Sequence, residues 1–427
     1  MGTSIGKSGV PDRYERMSPG ARALLGFLGS AGGPGVVAGA RDLPQDAWDE
    51  ILELALRHGV APLLHRALQS AGALAELPEH VRTRLGDERR TTGLLNMRKY
   101  GEFRRIALAL RARNIPLMAL KGLHLADLVY RDIGLRPMSD LDILVPRPEL
   151  ERTIAILQSI EYGFEADVSG AAPGMLATKC NIGLAHRRLG LWVEIHWTLG
   201  EPGDCYAPPV EEIWRSAAPG RLGDADVQLM SPEFLLLHVC AHLACNHAFG
   251  FDLRALCDIA EIARAQPDWE IVADQGQRYG WTRGVAAALR LARDYLGADI
   301  PAATLAALDA DALDPNLLAD AMEHLLTFAD MPGELATAPN LLAVASGATP
   351  WVKWKLLWKR IFLPRAELSL LYGVPERSPR LGLYYAVRLR DLMRKYALSA
   401  WALNVSDPRL AATAARHARL SKWIAGG

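Results

Sequence analysis

A chain of 427 residues, half of them apolar and only 22% charged, is long enough to bury a large core in two to three domains and too apolar to be a disordered polymer. Its 48 Lys/Arg cancel its 48 Asp/Glu, but unevenly: from Trp351 onward there are 15 basic against 4 acidic residues, a local +11, so the first 350 residues carry −11. Such an excess suits phosphate, nucleic acid or anionic lipid.

The five cysteines (Cys180, Cys205, Cys240, Cys245, Cys257) are odd in number and form no CxxC pair, which predicts reduced thiols. No apolar run follows Met1, so neither a signal peptide nor a location outside the cytoplasm is expected. Residues 1–18, rich in Gly, Ser and charge, read as a flexible tail. Their Gly6-Lys7-Ser8 is no P-loop, since Gly2 stands one residue too close and no strand precedes it.

Residues 19–113 carry a helical period, with Ile51-Leu52, Leu54-Ala55-Leu56 and Leu63-Leu64 at spacings of three to four, and Asn114 as a stop. The period then changes. Ile115 to Leu120 reads as a short strand, Gly122 to Tyr130 as a helix, Leu141 to Val145 as a second strand, and Pro148 to Ile160 as a helix with Pro in its first turn. Thr178–His186 and Leu191–Trp197 read as two more strands joined by a turn containing Gly190. From 201 to 330 the reading is a helical domain that covers a cleft. Phe234 to Phe251 has no Asp, Glu, Lys or Arg but holds His238, His242, Asn246 and His247, which fits a buried helix better than a membrane span. Residues 331–427 read as a linker followed by a basic, Trp-rich region.

The chemistry concentrates between residues 120 and 197. Asp140 and Asp142 stand at the head of the second strand, where side chains at i and i+2 share a face. Two carboxylates side by side repel unless a cation lies between them, and Mg²⁺ is the hard-oxygen solution. Lys121-Gly122, 19 residues upstream, opens a helix, where backbone N–H groups favour phosphate. Glu194, in Trp192-Val193-Glu194-Ile195-His196-Trp197, alternates with apolar neighbours and supplies a third acid. Three carboxylates on adjacent strands suit two metal ions and in-line displacement at phosphorus. The competing reading of the Asp pair is a cap on a solvated loop. Arg136 suits phosphate oxygens or a pairing Asp, Lys121 phosphate or plain solvent, and His196 the core.

The run Lys121-Gly122, Arg136-Pro137-Met138-Ser139-Asp140-Leu141-Asp142 and Val193-Glu194-Ile195-His196-Trp197 resembles the bacterial uncharacterised nucleotidyltransferase family, within the polymerase-β-type nucleotidyltransferase superfamily. The resemblance covers about 115–200 and, more loosely, the His-rich helices to about 300. It implies an α+β protein in which a small mixed sheet at 114–200 is embedded in mostly helical flanking domains. It also implies Asp140, Asp142 and Glu194 as catalytic metal ligands for two Mg²⁺, with Mn²⁺ as substitute. Lys121, Gly122, Arg136 and Ser139 would then meet an NTP, with ATP favoured. Lys-Gly stands where the superfamily has Gly-Ser, and Glu194 where it usually has Asp. The implied reaction is NMP transfer to an acceptor with loss of pyrophosphate, the acceptor being a small molecule, glycan or peptide natural-product precursor; nucleic acid is less favoured. Phosphoryl transfer, or a degenerate transferase that only binds a partner, are the alternatives.

Two constellations lie outside this core. His238, His242 and His247 share a helical region with Asp252, Arg254 and Asp258, but no HExxH is present and the zinc reading is weaker than a buried polar network. Within it, His242, His247 and Asp258 are expected to reach the substrate. Trp351, Trp354, Trp358 and Ile361 line a helix face among Lys353, Lys355, Lys359 and Arg360; membrane, RNA or peptide binding competes there with packing in a core, which is favoured.

Overall fold

The structure, a computed structural model, describes residues 14, 16–29, 35–164, 179–200, 208–328, 351, 358, 361–372, 374–404 and 408–426. Four helices come first: α1 (Pro19–Gly29), α2 (Gly35–Asp42), α3 (Gln45–Arg57) and α4 (Ala61–Ser70). They lead into the 33-residue α5 (Glu79–Arg111). At 1.5 Å per residue α5 is about 50 Å long, and it joins two cores. Val81 and Leu85 near its start pack with the N-terminal helices, whereas Phe103, Ile106 and Leu110 near its end pack under the sheet. Asn114 stops the chain with φ 56°.

A seven-stranded mixed sheet follows, built from β1 (Met118–Ala119), β2 (Leu141–Leu144), β3 (Tyr162–Gly163), β4 (Asn181–His186), β5 (Trp192–His196), β6 (Ala218–Leu222) and β7 (Ala225–Leu229) in the order β3-β4-β5-β2-β1-β7-β6. β2 runs parallel to β5 and antiparallel to β1, and β1 runs parallel to β7. The fold is α+β, as the sequence implied. β6 and β7 are the difference: the 201–330 region, read as helical, contributes a hairpin that extends the sheet beyond residue 200. β6 contains Pro219 and Gly220, and as an edge strand it tolerates a missing N–H and a missing side chain.

Period-2 alternation sends the strands' side chains to two different cores. Ala119, Leu141, Ile143, Val193 and Ile195 face one way, with Leu150, Ile154 and Leu157 of α7 (Leu150–Ser159) and the end of α5. Met118, Leu120 and Leu144 face the other way. Covering that second face are α9 (Pro232–Ala241), α10 (Leu253–Arg264) and α12 (Thr282–Leu296), which follow α8 (Val210–Ser216) and enclose α11 (Trp269–Arg278). α9 starts cleanly: Ser231 Oγ accepts from Phe234 N at 3.3 Å and Pro232 takes the first turn. Every α9 residue from Phe234 to Ala241 is buried, as its lack of charge required. No described helix is long and apolar enough to cross a membrane.

Then come α13 (Ala302–Ala307), α14 (Pro315–Thr327), α15 (Arg365–Tyr372), α16 (Tyr384–Asn404) and α17 (Pro408–Ile424). α17 packs on α14, with His417 Nδ1 3.1 Å from His324 Nε2 and Arg419 Nη2 2.7 Å from Asp320. The tryptophan stripe departs from the sequence reading. Trp351 is 70% and Trp358 47% exposed, so these two are not core residues; Trp354 and the 331–350 linker lie outside the described residues.

Candidate active site

Strand register builds the acidic cluster. β2 and β5 pair in parallel with Asp142 opposite Glu194 and Leu144 opposite His196. Partners in register point to the same face, so Asp142, Glu194 and His196 share the helix-covered side of the sheet. Asp140 precedes β2 by one residue, and its Oδ1 accepts from Ser139 Oγ at 3.0 Å. Asn181, on β4, donates to Glu194 Oε2 at 2.8 Å and fixes that carboxylate.

Lys121 and Gly122 sit at the junction of β1 with α6 (Lys121–His124), which continues into a π-helical segment, Leu125–Val129. Leu120 N donates to Asp142 O at 3.0 Å, so the junction is tied to the acidic strand. Lys121 Nζ lies 4.0 Å from Asp142 Oδ2. Its φ is 33°, in the left-handed region that favours glycine. Gly122 is required for a different reason: a Cβ there would come within 2.7 Å of Met138 Sδ, so the site loop could not approach the junction.

That loop is pinned from both sides. Asn96 of α5 donates to the carbonyls of Ile133 (2.6 Å) and Arg136 (2.8 Å). Arg254 of α10 donates to Pro137 O at 2.6 Å and pairs with Asp252 at 2.7 Å.

Charge within the cluster is unequally settled. Burial and the Asp142 charge raise the pKa of Asp140, despite the Ser139 hydrogen bond and the charge of Lys121. Asp142 goes the other way: burial opposes ionisation, but Lys121 and the hydrogen bond and charge of His196 outweigh it and hold the carboxyl well below its usual range. Burial would discharge His196, yet its hydrogen bonds to Asp142 and Glu194 raise it to about 10. Its Nε2 lies 3.1 Å from Asp142 Oδ1 and 3.4 Å from Glu194 Oε2. His196 is thus buried, as read, but as a cation bridging two acids rather than as a core filler. Its position two residues after Glu194 on one strand was the available signal. Lys99 of α5 was also missed; it is buried, burial lowers its pKa, and the charge of Asp140 acts on it.

Ten residues singled out in the sequence line one cleft of about 460 Å³: Lys121, Gly122, Arg136, Ser139, Asp140, Asp142, Glu194, His242, His247 and Asp258. Within it, Arg136 and Asp258 find each other. Arg136 Nε donates to Asp258 Oδ1 at 2.9 Å and Nη2 to Oδ2 at 2.8 Å, while Tyr130 OH donates to Oδ1 at 2.9 Å. The sequence reading offered Arg136 phosphate oxygens or a pairing Asp, and gave Asp258 to substrate; in the fold each is the other's buried counter-ion, so the pairing is the alternative realised. The charge of Asp258, against the opposing effect of burial, keeps Arg136 firmly protonated.

A second π-helical segment, His242–Asn246, brings His242 Nε2 to 3.3 Å from His247 Nε2, with His247 stacked on Phe251 at 4.5 Å. Burial, then the charge of Lys121, pushes His242 well down and His247 down to about 3, so this wall of the cleft is aromatic and neutral. Among the described residues the group whose potential ligand atoms converge within 4.8 Å is Asp142, Glu194 and His196, not the three histidines.

The donor chemistry fits a divalent cation. The charges of Asp142 and Glu194 oppose the ionisation of Asp140, Glu194 adds oxygen donors and is 37% exposed, and a cation among the three relieves that repulsion. A family model described as an uncharacterised nucleotidyltransferase matches residues 44–297. No curated protein matches the chain.

Proposed function

The chain belongs to that uncharacterised nucleotidyltransferase family, and from this premise we propose that it transfers NMP from an NTP, ATP by preference, to a small-molecule, glycan or peptide acceptor. The observation that carries the reading is the in-register pair Asp142–Glu194, in one cleft with Asp140 and the Lys121–Gly122 junction.

Asp140, Asp142 and Glu194 would hold Mg²⁺, which when bound neutralises the charge on the reacting phosphate. Lys121 faces the same oxygens and carries charge of the leaving β- and γ-phosphates. His196 keeps Asp142 ionised and oriented through its 3.1 Å contact. The acceptor's oxygen forms a bond to the α-phosphorus as the bond to the bridging oxygen breaks. Pyrophosphate leaves with that electron pair, and the acceptor's proton passes to Glu194, which is more exposed than Asp142. The bidentate Arg136–Asp258 pair lines the cleft wall and fixes the loop that carries Asp140.

The test is incubation with Mg²⁺, an acceptor pool and NTPs labelled at the α- or the γ-phosphate, beside Asp140→Ala/Asp142→Ala. Transfer of α-label by the wild type alone supports the reading. Transfer of γ-label alone replaces it with phosphoryl transfer, and α-label transfer that survives in the double variant removes the site assignment.

A further inference from the structure

The helical run that begins with Lys121 has a second cavity at its other end. About 720 Å³ in volume, it lies between the π-helical segment 125–129, the β6–β7 hairpin, the start of α9 and the end of α10. That is within the roughly 300–1,000 Å³ of small-molecule sites. Most of its wall is apolar, from side chains such as Leu128, Leu229, Leu235 and Ile262. One polar group is out of place: His124 is buried, lines the cavity, and its Nδ1 has no hydrogen-bond partner. Burial lowers its pKa to about 4, so it waits as a neutral donor or acceptor.

The charges on the lining do not cancel. Glu261 is satisfied by Arg66, at 3.0 and 3.1 Å, and by Arg264. Arg131, exposed and held at φ 55°, has no ion-pair partner among the described residues. The cavity therefore combines an apolar body, one cation without an ion-pair partner among the described residues and one buried imidazole whose Nδ1 is unsatisfied. Tyr130 also lines it and donates to Asp258, so a layer of hydrogen-bonded side chains separates it from the acidic cluster.

We infer that this cavity is a second small-molecule site, separate from the nucleotide cleft, for an apolar molecule with a single anionic head group that pairs with Arg131. The reading does not depend on nucleotidyl transfer. The probes are 8-anilinonaphthalene-1-sulfonate, apolar and anionic, and N-phenyl-1-naphthylamine, its neutral counterpart, titrated by fluorescence into the full chain. Saturable binding of the anionic probe at one site per chain is expected. Leu128→Trp and Ala265→Trp, which add bulk at two lining positions, should each weaken it by at least about tenfold; thermal melts identify which of the two is folded. Arg131→Ala should weaken the anionic probe about threefold to tenfold and leave the neutral one unchanged. Excess ATP with Mg²⁺ should displace neither probe. The inference is overturned if no saturable binding is found, if a folded filling variant binds like wild type, if Arg131→Ala affects both probes or neither, or if ATP competes.

Discussion

Two charged groups border the same cleft and could hardly be arranged more differently. Arg136 and Asp258 meet fork to fork, with Tyr130 adding a third bond, and both are buried. Every charge there has a stoichiometric partner. Across the cleft, Asp140, Asp142 and Glu194 crowd together against Lys121 and His196, and Asp140 is driven toward its neutral form by burial and its neighbour's charge. The first group is finished and the second is not. A residue's position at a cleft does not say whether its charge is available; its partners do. Satisfied pairs position, and unsatisfied clusters bind.

The sharpest way to break this contrast is to remove the crowded group. Asp140→Ala/Asp142→Ala is expected to lower NMP transfer at least about a thousandfold, equivalent to about 4 kcal/mol, while circular dichroism shows the fold retained. If pyrophosphate release persists, the unsatisfied cluster is not the reactive one. Asp258→Ala should instead strike stability, by about 3–5 kcal/mol in urea unfolding, because it strands a buried guanidinium. Arg136→Met/Asp258→Leu should recover much of that loss. A cost below about 1 kcal/mol for Asp258→Ala would mean that Arg136 is free for phosphate after all.

Lys121→Gly separates the two roles within one residue. Its φ of 33° suits glycine, so the variant is expected to gain about 1 kcal/mol of stability by thermal melting while losing transfer activity. A gain without a loss would show that the ammonium does nothing for the triphosphate. The smallest effect concerns the buried histidines that stay neutral. His124 and His417 are both lowered to about 4, chiefly by burial. Between about pH 6.5 and 4 the unfolded chain binds protons that the folded chain refuses, so stability falls as pH drops through that window. His417→Asn should flatten part of that decline in Tm measured against pH; an unchanged slope would place the uptake elsewhere.

Much of the core was legible because it is local. The changes from helical to alternating period at Ile115 and Leu141, the i,i+2 spacing of Asp140 and Asp142, and the Gly190 turn all act through neighbours in sequence, and the strands and turn form where those signals lie. The partnership of Arg136 with Asp258 spans 122 residues and leaves no local trace. The bridging role of His196 needed the β2–β5 register, which the sequence did not supply. The β6–β7 hairpin escaped because Pro219 and Gly220 are poor strand formers that only an edge position tolerates, and edge position is set by the sheet order rather than by local sequence. Trp351 and Trp358 follow a helical stripe, but a stripe says only that residues share a face, not that anything covers it.

The two π-helical segments, Leu125–Val129 and His242–Asn246, carry one more consequence. Each holds an extra residue relative to an α-helical turn, so each behaves as a one-residue insertion frozen into a helix. Deleting a single residue from 242–246 would let the helix close regularly and rotate everything after it by about 100°, carrying His247 off the wall it shares with His242. The geometry of that wall is therefore held by chain length as much as by side-chain identity, and a deletion scan would reveal it where an alanine scan could not.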